Sequence, residues 1–395
     1  MMEKFYKCSQ CNAEYEIAPE IMVCPECTKT QRIDEPLRGI LEVKYKSHNS
    51  SCEQIQLSGS IDNLFPVDKE WFPKIPVGNT PLWQSDNLTN LPDLYLKDDT
   101  HNLTGSYKDR ASILVAAFAK KHRIKEIVLA STGNAASSMA GVGAASGLDI
   151  TIFLPTSAPK AKMVQSLQYG AKVITVDGNY DRAFDLSLEY SQKYNLLSRN
   201  TAYNPLTIEG KRSASFEIYK QLEKAPDYVF VPVGDGVILS GIYKGFEDLL
   251  EFGFIKKIPT IIAVQAEGSN AIYKALRSGE FITMESHTVA DSIAVDIPRC
   301  GYLALQKLQK HKGKSIMVTD DEILTAQLQL SAKAGLFAEP AASASYAGFL
   351  KMKDELPEDA IIVLMITGNG LKDVDSAMKK IEFPKNAIKS IEEIQ

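Results

Sequence analysis

Residues 126–154 read EIVLASTGNAASSMAGVGAASGLDITIFL. A short β-branched stretch runs into the glycine turn STGN at 131–134, a helical stretch of small residues follows, and a second β-branched stretch begins after Gly147. This order of strand, glycine turn, helix and strand predicts a βαβ unit, whose two strands lie parallel in one sheet.

The same alternation of strands and helices continues beyond this unit. Parallel sheets covered by helices are therefore predicted, which makes the chain an α/β protein. At 395 residues it is long for one core, so two or three compact units are expected. The predicted strands are 126–130, 149–154, 171–176, 228–233, 260–264 and 360–366, and the predicted helices are 135–146, 159–169, 182–194, 238–252, 321–334 and 341–352.

The first thirty residues contain four cysteines in two close pairs. Cys8 and Cys11 form one C-x-x-C turn, and Cys24 and Cys27 form the second one after twelve intervening residues. Two such turns can direct four thiolates at one point, which is the closed site of structural zinc. A redox motif would need only one such pair, beside a βαβ unit. We therefore predict a zinc ribbon.

Composition excludes several classes of function. Lys and Arg number 44 against 49 Asp and Glu, a formal net charge of −5 without a basic block, so no nucleic-acid partner is expected. No apolar run approaches the roughly 20 residues of a membrane helix, and the first residues lack the apolar stretch of a signal peptide. We expect a cytoplasmic protein without a membrane partner, in which Cys52 and Cys300 are ordinary free cysteines.

A polar loop, DDTHNLTGSYKDR at 98–110, precedes the apolar helical stretch 113–118. This places Lys108 at a helix start, where the positive end of the helix dipole disfavours a second positive charge. The same field would lower the pKa of the lysine and favour the neutral amine that a Schiff base requires. Taken alone, this position is weak evidence, and a solvated surface lysine is the more ordinary interpretation.

Three glycine turns follow predicted strands, at 131–134, 234–236 and 368–370. Exposed backbone N–H groups at such a turn can bind a carboxylate or a phosphate. Residues 141–147 are also rich in glycine, but they lie within a predicted helix and miss the G-x-G-x-x-G pattern. Dinucleotide binding is therefore disfavoured.

Together these segments resemble the β-family of pyridoxal phosphate enzymes, which has the tryptophan synthase β-like fold (fold type II). Within it, the chain is similar to threonine synthases with an N-terminal zinc ribbon. The segments that carry the resemblance are VGNTPL (77–82), TGSYKDR (104–110), STGN (131–134), KGF (244–246), QAEG (265–268), EPA (339–341) and TGNGLKD (367–373).

The resemblance implies a lyase that binds pyridoxal phosphate and a small amino-acid substrate. It implies that Lys108 forms the internal aldimine, that Asn134 hydrogen-bonds the 3′ oxygen of the cofactor, and that Thr367 faces the pyridine nitrogen. The implied ligands of the cofactor phosphate are Gly234, Asp235, Gly236, Val237 and Ile238, and those of the substrate carboxylate are Ser131, Thr132, Gly133 and Ala135.

The family's architecture implies two parallel-sheet domains with the cofactor between them. The expected zinc ribbon covers residues 1–34 and a connecting extension with short strands covers 35–74. The large domain would combine 75–107 with 206–395, and the small domain, 108–205, would close over the substrate. By analogy with the family, a homodimer is expected.

For a threonine synthase the substrate is O-phosphohomoserine, and the chain departs from that pattern around its phosphate. Residues 204–213 read NPLTIEGKRS where NPYRxxGQKT is usual, so Thr207 stands in place of an arginine. Asp235 would repel a phosphate unless its side chain points away. A phosphate dianion needs a cation, and we expect Lys162, Lys211 or Arg212 to replace the arginine. The expected substrate ligands are Lys162, Asn204, Lys211 and Arg212.

These departures leave other functions open. A threonine or serine dehydratase is one alternative, although dehydratases of this fold usually lack a zinc ribbon. A β-replacement enzyme for O-phosphoserine or a similar ester is another. A binding protein that kept the fold and lost catalysis is disfavoured by Lys108 and by the intact segment at 367–373.

Overall fold

A computed structural model describes residues 3–46, 64–89, 91, 93–158, 160–384 and 387–391. Cys52 and the side chain of Lys162 lie outside the described part, so the predictions made for them are not addressed by the structure.

The strands alternate with helices along most of the chain. In chain order the strands are β1 (Glu3–Cys8), β2 (Glu14–Tyr15), β3 (Leu41–Lys46), β4 (Leu82–Trp83), β5 (Leu94–Asp98), β6 (Glu126–Ala130), β7 (Asp149–Pro155), β8 (Lys172–Val176), β9 (Leu197–Ser198), β10 (Tyr228–Pro232), β11 (Thr260–Ala266), β12 (Lys314–Val318) and β13 (Ile362–Ile366). The helices are α1 (Pro25–Thr28), α2 (Asp109–Lys121), α3 (Asn134–Ser146), α4 (Lys160–Gln168), α5 (Tyr180–Lys193), α6 (Leu206–Lys211), α7 (Ser213–Leu222), α8 (Val237–Glu251), α9 (Ala271–Ser278), α10 (Gly301–Lys310), α11 (Asp320–Ala334), α12 (Pro340–Met352) and α13 (Val374–Met378).

The strands form three sheets. A small antiparallel sheet has the order β2-β1-β3 and contains the cysteine segment, with β3 contributed by the segment predicted as an extension. A six-stranded sheet has the order β12-β11-β10-β13-β5-β4 and is parallel except for β4, which pairs antiparallel with β5. A four-stranded parallel sheet has the order β8-β7-β6-β9. The predicted α/β class with two parallel-sheet units is confirmed.

The six-stranded sheet is buried on both faces. Along β10, Val229 and Val231 belong to the core that includes Phe246 of α8, whereas Phe230 packs edge-on against Phe349 of α12. Successive side chains of a strand point to opposite faces, so one strand supports both helical layers. This explains why the central strands read as continuous apolar runs.

The glycine-rich stretch 141–147 lies at the end of α3, where a helix was predicted, and it allows close packing. A Cβ atom on Gly143 would lie 2.3 Å from Cγ1 of Ile150, so only glycine lets α3 approach β7 this closely. Over the described part of the chain, we find no helix with the length and apolar character required to span a membrane.

The three glycine turns all lie at the carboxyl-terminal ends of strands in the two parallel sheets. The turn at 131–134 follows β6, the turn at 234–236 follows β10, and the turn at 368–370 follows β13. The carboxyl ends of parallel strands are where α/β proteins bind their ligands.

Candidate active site

The lysine loop is tied to the end of β13 by backbone hydrogen bonds. The amide of Tyr107 donates to the carbonyl of Thr367 (2.8 Å), and the amide of Asn369 donates to the carbonyl of Gly105 (3.0 Å). Lys108 follows directly as the N-cap of α2. The structure thus brings together two residues, Lys108 and Thr367, that are far apart in the sequence.

The environment of Lys108 favours a neutral amine. Burial lowers the pKa of Lys108, Asp235 opposes this shift, and the positive charge of Arg199 adds to it. The lowering predicted from the sequence is therefore present, and its largest cause is desolvation of the ammonium group.

A second group of residues forms a turn at the start of α8. Gly236 has a left-handed backbone (φ +87°) and caps the 15-residue helix, with no side chain bonded to its first N–H groups among the described residues. A Cβ atom on Gly234 would lie 2.7 Å from Cα of Ile293, so this position also requires glycine. Val237 and Ile238 form the first turn of the helix. The backbone N–H groups here can bind an anion.

Asp235, in the middle of this turn, is held by hydrogen bonds from Arg299 and Cys300. Its Oδ1 accepts a hydrogen bond from the amide of Arg299 (2.8 Å), and its carbonyl accepts one from the amide of Cys300. Burial raises the pKa of Asp235, while the Arg299 amide and Lys108 oppose the shift. The positive charges of Lys108, Arg299 and Lys211 act on this carboxylate. They offset the repulsion expected between Asp235 and a phosphate.

The turn at the start of α3 opens into a cavity. Gly133 caps the helix, its amide donates to Oγ of Ser131 (3.2 Å), and a Cβ atom placed on it would meet no atom within 4 Å. Thr132 and Ala135 belong to the same turn and are half-buried. The cavity, of about 540 Å³, is lined among others by Thr104, Gly105, Gly133, Asn134, Glu339 and Lys372.

Glu339 is a site residue to which sequence reasoning gave no role. It is buried, and the amide nitrogen of Asn134 donates to its Oε2 (2.8 Å) and its Oε1 (3.1 Å). Burial raises the pKa of Glu339, although Asn134, Lys372 and Lys108 oppose the shift. A Cβ atom on Gly368 would lie 2.4 Å from Oε1, so the carboxylate occupies a tight space. The only sequence signal was its place in the segment EPA.

Lys372 is a cation that lines this cavity and that the sequence did not single out. Its Nζ donates to Oε1 of Gln165 (2.9 Å) and to Oγ of Ser137 (3.4 Å). Burial lowers the pKa of Lys372, and Glu339 and Asp109 oppose the shift. It therefore adds a positive charge beside the turn that begins α3.

The residues expected to bind the substrate phosphate have different surroundings. Lys211 is fully buried, donates from Nζ to the carbonyl of Thr207 (3.2 Å), and has a pKa well below its usual value because of burial and then the charge of Lys108. Arg212 contacts Asp248 (2.5 Å) and Glu209 (2.9 Å). Neither Lys211 nor Arg212 lines the cavity.

Asn204 is also outside the cavity. Its Nδ2 donates to the carbonyl of Ser198 (2.7 Å), and its Oδ1 accepts from the amide of Leu206 (2.9 Å). Asn204 thus fixes the chain between β9 and α6, and the structure brings none of Asn204, Lys211 and Arg212 into the cavity.

The four N-terminal cysteines converge. Their Sγ atoms all lie within 4.8 Å of one another, with Cys8 and Cys27 at 3.7 Å and Cys11 and Cys24 at 3.6 Å. A tetrahedral zinc site with Zn–S bonds of about 2.3 Å has sulfur–sulfur distances of about 3.8 Å. The four thiols have the spacing that a zinc ion requires.

Comparison with known proteins identifies the class of protein. The family model described as "Pyridoxal-phosphate dependent enzyme" matches residues 74–368, and the chain belongs to this family. Threonine synthase of Methanosarcina acetivorans is 34% identical over 96% of this chain and 94% of its own length. Threonine synthase of Methanocaldococcus jannaschii is 33% identical over 93% of this chain and 98% of its own length. The resemblance inferred from the sequence is confirmed.

Solved structures support the same fold. Processed threonine deaminase isoform 2 from Solanum lycopersicum superposes with a TM-score of 0.66 at 20% identity, over 90% of this chain and 98% of that chain. Maize serine racemase gives a TM-score of 0.67 at 20% identity, over 85% of this chain and 98% of that chain. At this identity the similarity concerns the fold alone.

Proposed function

We propose that the chain is a pyridoxal-phosphate-dependent threonine synthase, which converts O-phosphohomoserine and water into L-threonine and inorganic phosphate. The observation that carries this proposal is the match of nearly the whole chain, N-terminal segment included, to threonine synthases over nearly their whole length. The site supports it, because a half-buried lysine with a lowered pKa shares one site with turns suited to anions.

The residues present fit the cofactor. Lys108 would carry it, and the N–H groups of 234–238 would bind its phosphate, since Gly236 exposes the start of a long helix without a side-chain cap. Asn134 would face the 3′ oxygen and Thr367 the pyridine nitrogen. When bound, the cofactor supplies the electron sink for chemistry at the substrate's α carbon.

The chain's own residues supply binding and proton transfer. The turn 131–135 would bind the substrate carboxylate through backbone N–H groups. Lys108, whose pKa is lowered by burial, can accept a proton from the α carbon and serve the adjacent carbons in turn. Phosphate leaves from the γ carbon and water adds at the β carbon. Closure of residues 108–205 over the site would exclude competing water.

The test is an assay of inorganic phosphate release with O-phosphohomoserine, with O-phosphoserine and without substrate, together with detection of threonine. We expect release only with O-phosphohomoserine, accompanied by threonine in equal amount. Lys108→Ala should abolish turnover and the visible absorption band of the bound cofactor. Lys120→Ala, which removes an exposed lysine at the other end of α2, is the matched control.

Other outcomes identify the alternatives. Release from O-phosphoserine alone would favour a β-replacement enzyme. A 2-oxo acid and ammonia formed from threonine or serine, with no phosphate release, would favour a dehydratase.

We further propose that Cys8, Cys11, Cys24 and Cys27 bind one structural zinc ion, supported by their sulfur–sulfur distances. Four protein thiolates leave no coordination position open for a substrate. The homodimer, the cytoplasmic location and the division into a large and a small mobile domain stay predictions.

A further inference from the structure

Arg199 is a buried cation whose charge is poorly satisfied by the protein. It follows β9, has no exposed surface, and donates from Nη1 to Oγ1 of Thr201 (2.9 Å). Its Nε and Nη2 have no hydrogen-bond acceptor among the described residues. Burying a guanidinium group without an acceptor is strongly unfavourable. Such an arrangement indicates an anion that binds there.

The neighbours of Arg199 place it beside the proposed carboxylate turn. The amide of Arg199 donates to the carbonyl of Val128 (2.8 Å), and Oδ1 of the next residue, Asn200, accepts from the amide of Ala130 (2.7 Å). Ala130 directly precedes the turn 131–135. The backbone of Arg199 therefore pairs with β6, the strand that leads into the proposed carboxylate turn.

Lys211, the last residue of α6, is bonded to the lysine loop. The hydroxyl of Tyr107 donates to the carbonyl of Lys211 (2.6 Å), which ties Lys211 to the residue before Lys108. The ammonium group of Lys211 has one hydrogen bond in the described part of the structure, to the carbonyl of Thr207. Lys211 thus reaches the residue that stands where threonine synthases usually have an arginine.

Arg199 and Lys211 are close enough to influence each other's surroundings. Burial lowers the pKa of Lys211, and the positive charges of Lys108 and Arg199 lower it further, whereas Asp235 opposes them. Burial also lowers the pKa of Arg199 to about 10, with Tyr180 and Asp109 opposing the shift. A phosphate oxygen would supply the acceptors that Nε and Nη2 of Arg199 lack among the described residues.

We propose that Arg199, assisted by Lys211, binds the phosphate group of the substrate and determines specificity for phosphorylated amino acids. This inference rests on the proposed function. The cofactor phosphate has a separate backbone turn at 234–238 on the six-stranded sheet, whereas the backbone of Arg199 pairs with β6 of the four-stranded sheet, the strand before the turn for the substrate carboxylate. Arg199 thereby fills the role of the arginine that Thr207 replaces.

The experiment compares the cofactor-loaded wild type with Arg199→Met, Arg199→Lys and the control Arg182→Met. Arg182 is a half-exposed arginine of α5 that contacts Glu189. Arg199→Met should lower kcat/KM for O-phosphohomoserine by roughly 100-fold, because a charge-assisted contact to phosphate is lost. Arg199→Lys should recover part of this loss. The control should stay within about threefold of wild type.

A second readout does not depend on turnover. Inorganic phosphate should raise the thermal midpoint of cofactor-loaded wild type, and its apparent affinity should fall by at least about tenfold in Arg199→Met. In the absence of phosphate, Arg199→Met should unfold at a temperature no lower than wild type, since it removes a buried charge that lacks acceptors. A purely structural arginine would give a lower midpoint instead.

The outcomes separate this proposal from the function on which it rests. If wild type releases no phosphate from O-phosphohomoserine yet binds inorganic phosphate through Arg199, the threonine synthase assignment fails and the phosphate site stands. If Arg199→Met weakens binding of the cofactor and leaves binding of inorganic phosphate unchanged, the guanidinium serves the cofactor and the proposal is overturned. It is overturned equally if Arg199→Met matches the control in every measurement.

Discussion

Replacing Glu339 by glutamine tests whether this buried carboxylate sets the position of Asn134. The amide nitrogen of Asn134 lies 2.8 Å and 3.1 Å from the two carboxylate oxygens, and Oγ of Ser292 lies 3.4 Å from one of them. Glutamine keeps the shape but removes the charge and turns one acceptor into a donor. A hydrogen bond to a charged group contributes about 1.5–3 kcal/mol, so kcat/KM should fall by roughly 10-fold to 150-fold.

The stability of the same variant should depend on pH with a defined sign. Burial raises the pKa of Glu339 in the folded protein above its value of about 4.3 in the unfolded chain. The folded state then binds more protons between these two values, so wild type loses up to about 1.4 kcal/mol of stability per pH unit across that window. Glutamine does not titrate. The variant should therefore gain stability relative to wild type as pH rises, up to a plateau above the folded pKa.

The assay is urea unfolding of cofactor-free protein at intervals from about pH 4.5 to about pH 8.5, with Glu358→Gln as the exposed control. Taking the difference between variant and wild type removes the contributions of Asp109 and Asp235, whose pKa values are also raised by burial. A difference that is independent of pH, or that falls as pH rises, would refute the account of Glu339. Unchanged kcat/KM would refute its role in positioning Asn134.

Two further predictions concern the zinc site and the ion pairs that Arg110 forms with Asp99 and Glu217. Cys24→Ser should lose bound zinc and lower the thermal midpoint of the N-terminal unit. Cys300→Ser, at a buried cysteine near Ser240, is the control and should keep the metal. Metal analysis of freshly purified protein distinguishes the two variants. Arg110→Met, which breaks buried pairs with two carboxylates, should lower the free energy of unfolding by about 3–5 kcal/mol, against less than about 0.5 kcal/mol for Arg182→Met.

The sequence predicted the central part of the fold because apolar runs and glycine turns coincide there. The six predicted strands and six predicted helices are all present, with ends displaced by at most two residues. Strand β5 was missed, although it lies inside the six-stranded sheet. It contains Lys97, which is fully buried and pairs with Glu217 at 2.7 Å. A pattern of apolar residues cannot identify a strand whose charges are neutralised by partners distant in the sequence.

The site was predicted to the extent that local motifs carry it. Lys108 and the glycine turns each belong to a short segment with its own physical signature. Arg199 does not, because the segment SRN around it matches no motif, and its importance depends on the acceptors it lacks after folding. Glu339 is similar, since its role depends on Asn134, which is 205 positions away in the chain. Properties that arise from burial and distant partners become visible only in three dimensions.

The departures from the threonine synthase pattern are related through charge. Thr207 lacks the usual arginine, but its carbonyl accepts a hydrogen bond from Lys211, one turn further along the same helix. Asp235 opposes the lowering of the pKa of Lys211, and Lys211 in turn opposes the raising of the pKa of Asp235, so each stabilises the charge of the other. An arginine at 207 in addition to Arg199 and Lys211 would bring a third basic side chain close to the other two, which is unfavourable in a buried region. We therefore interpret the exchanges at 207 and 211, together with Arg199, as a relocation of the phosphate-binding charge, and not as its loss.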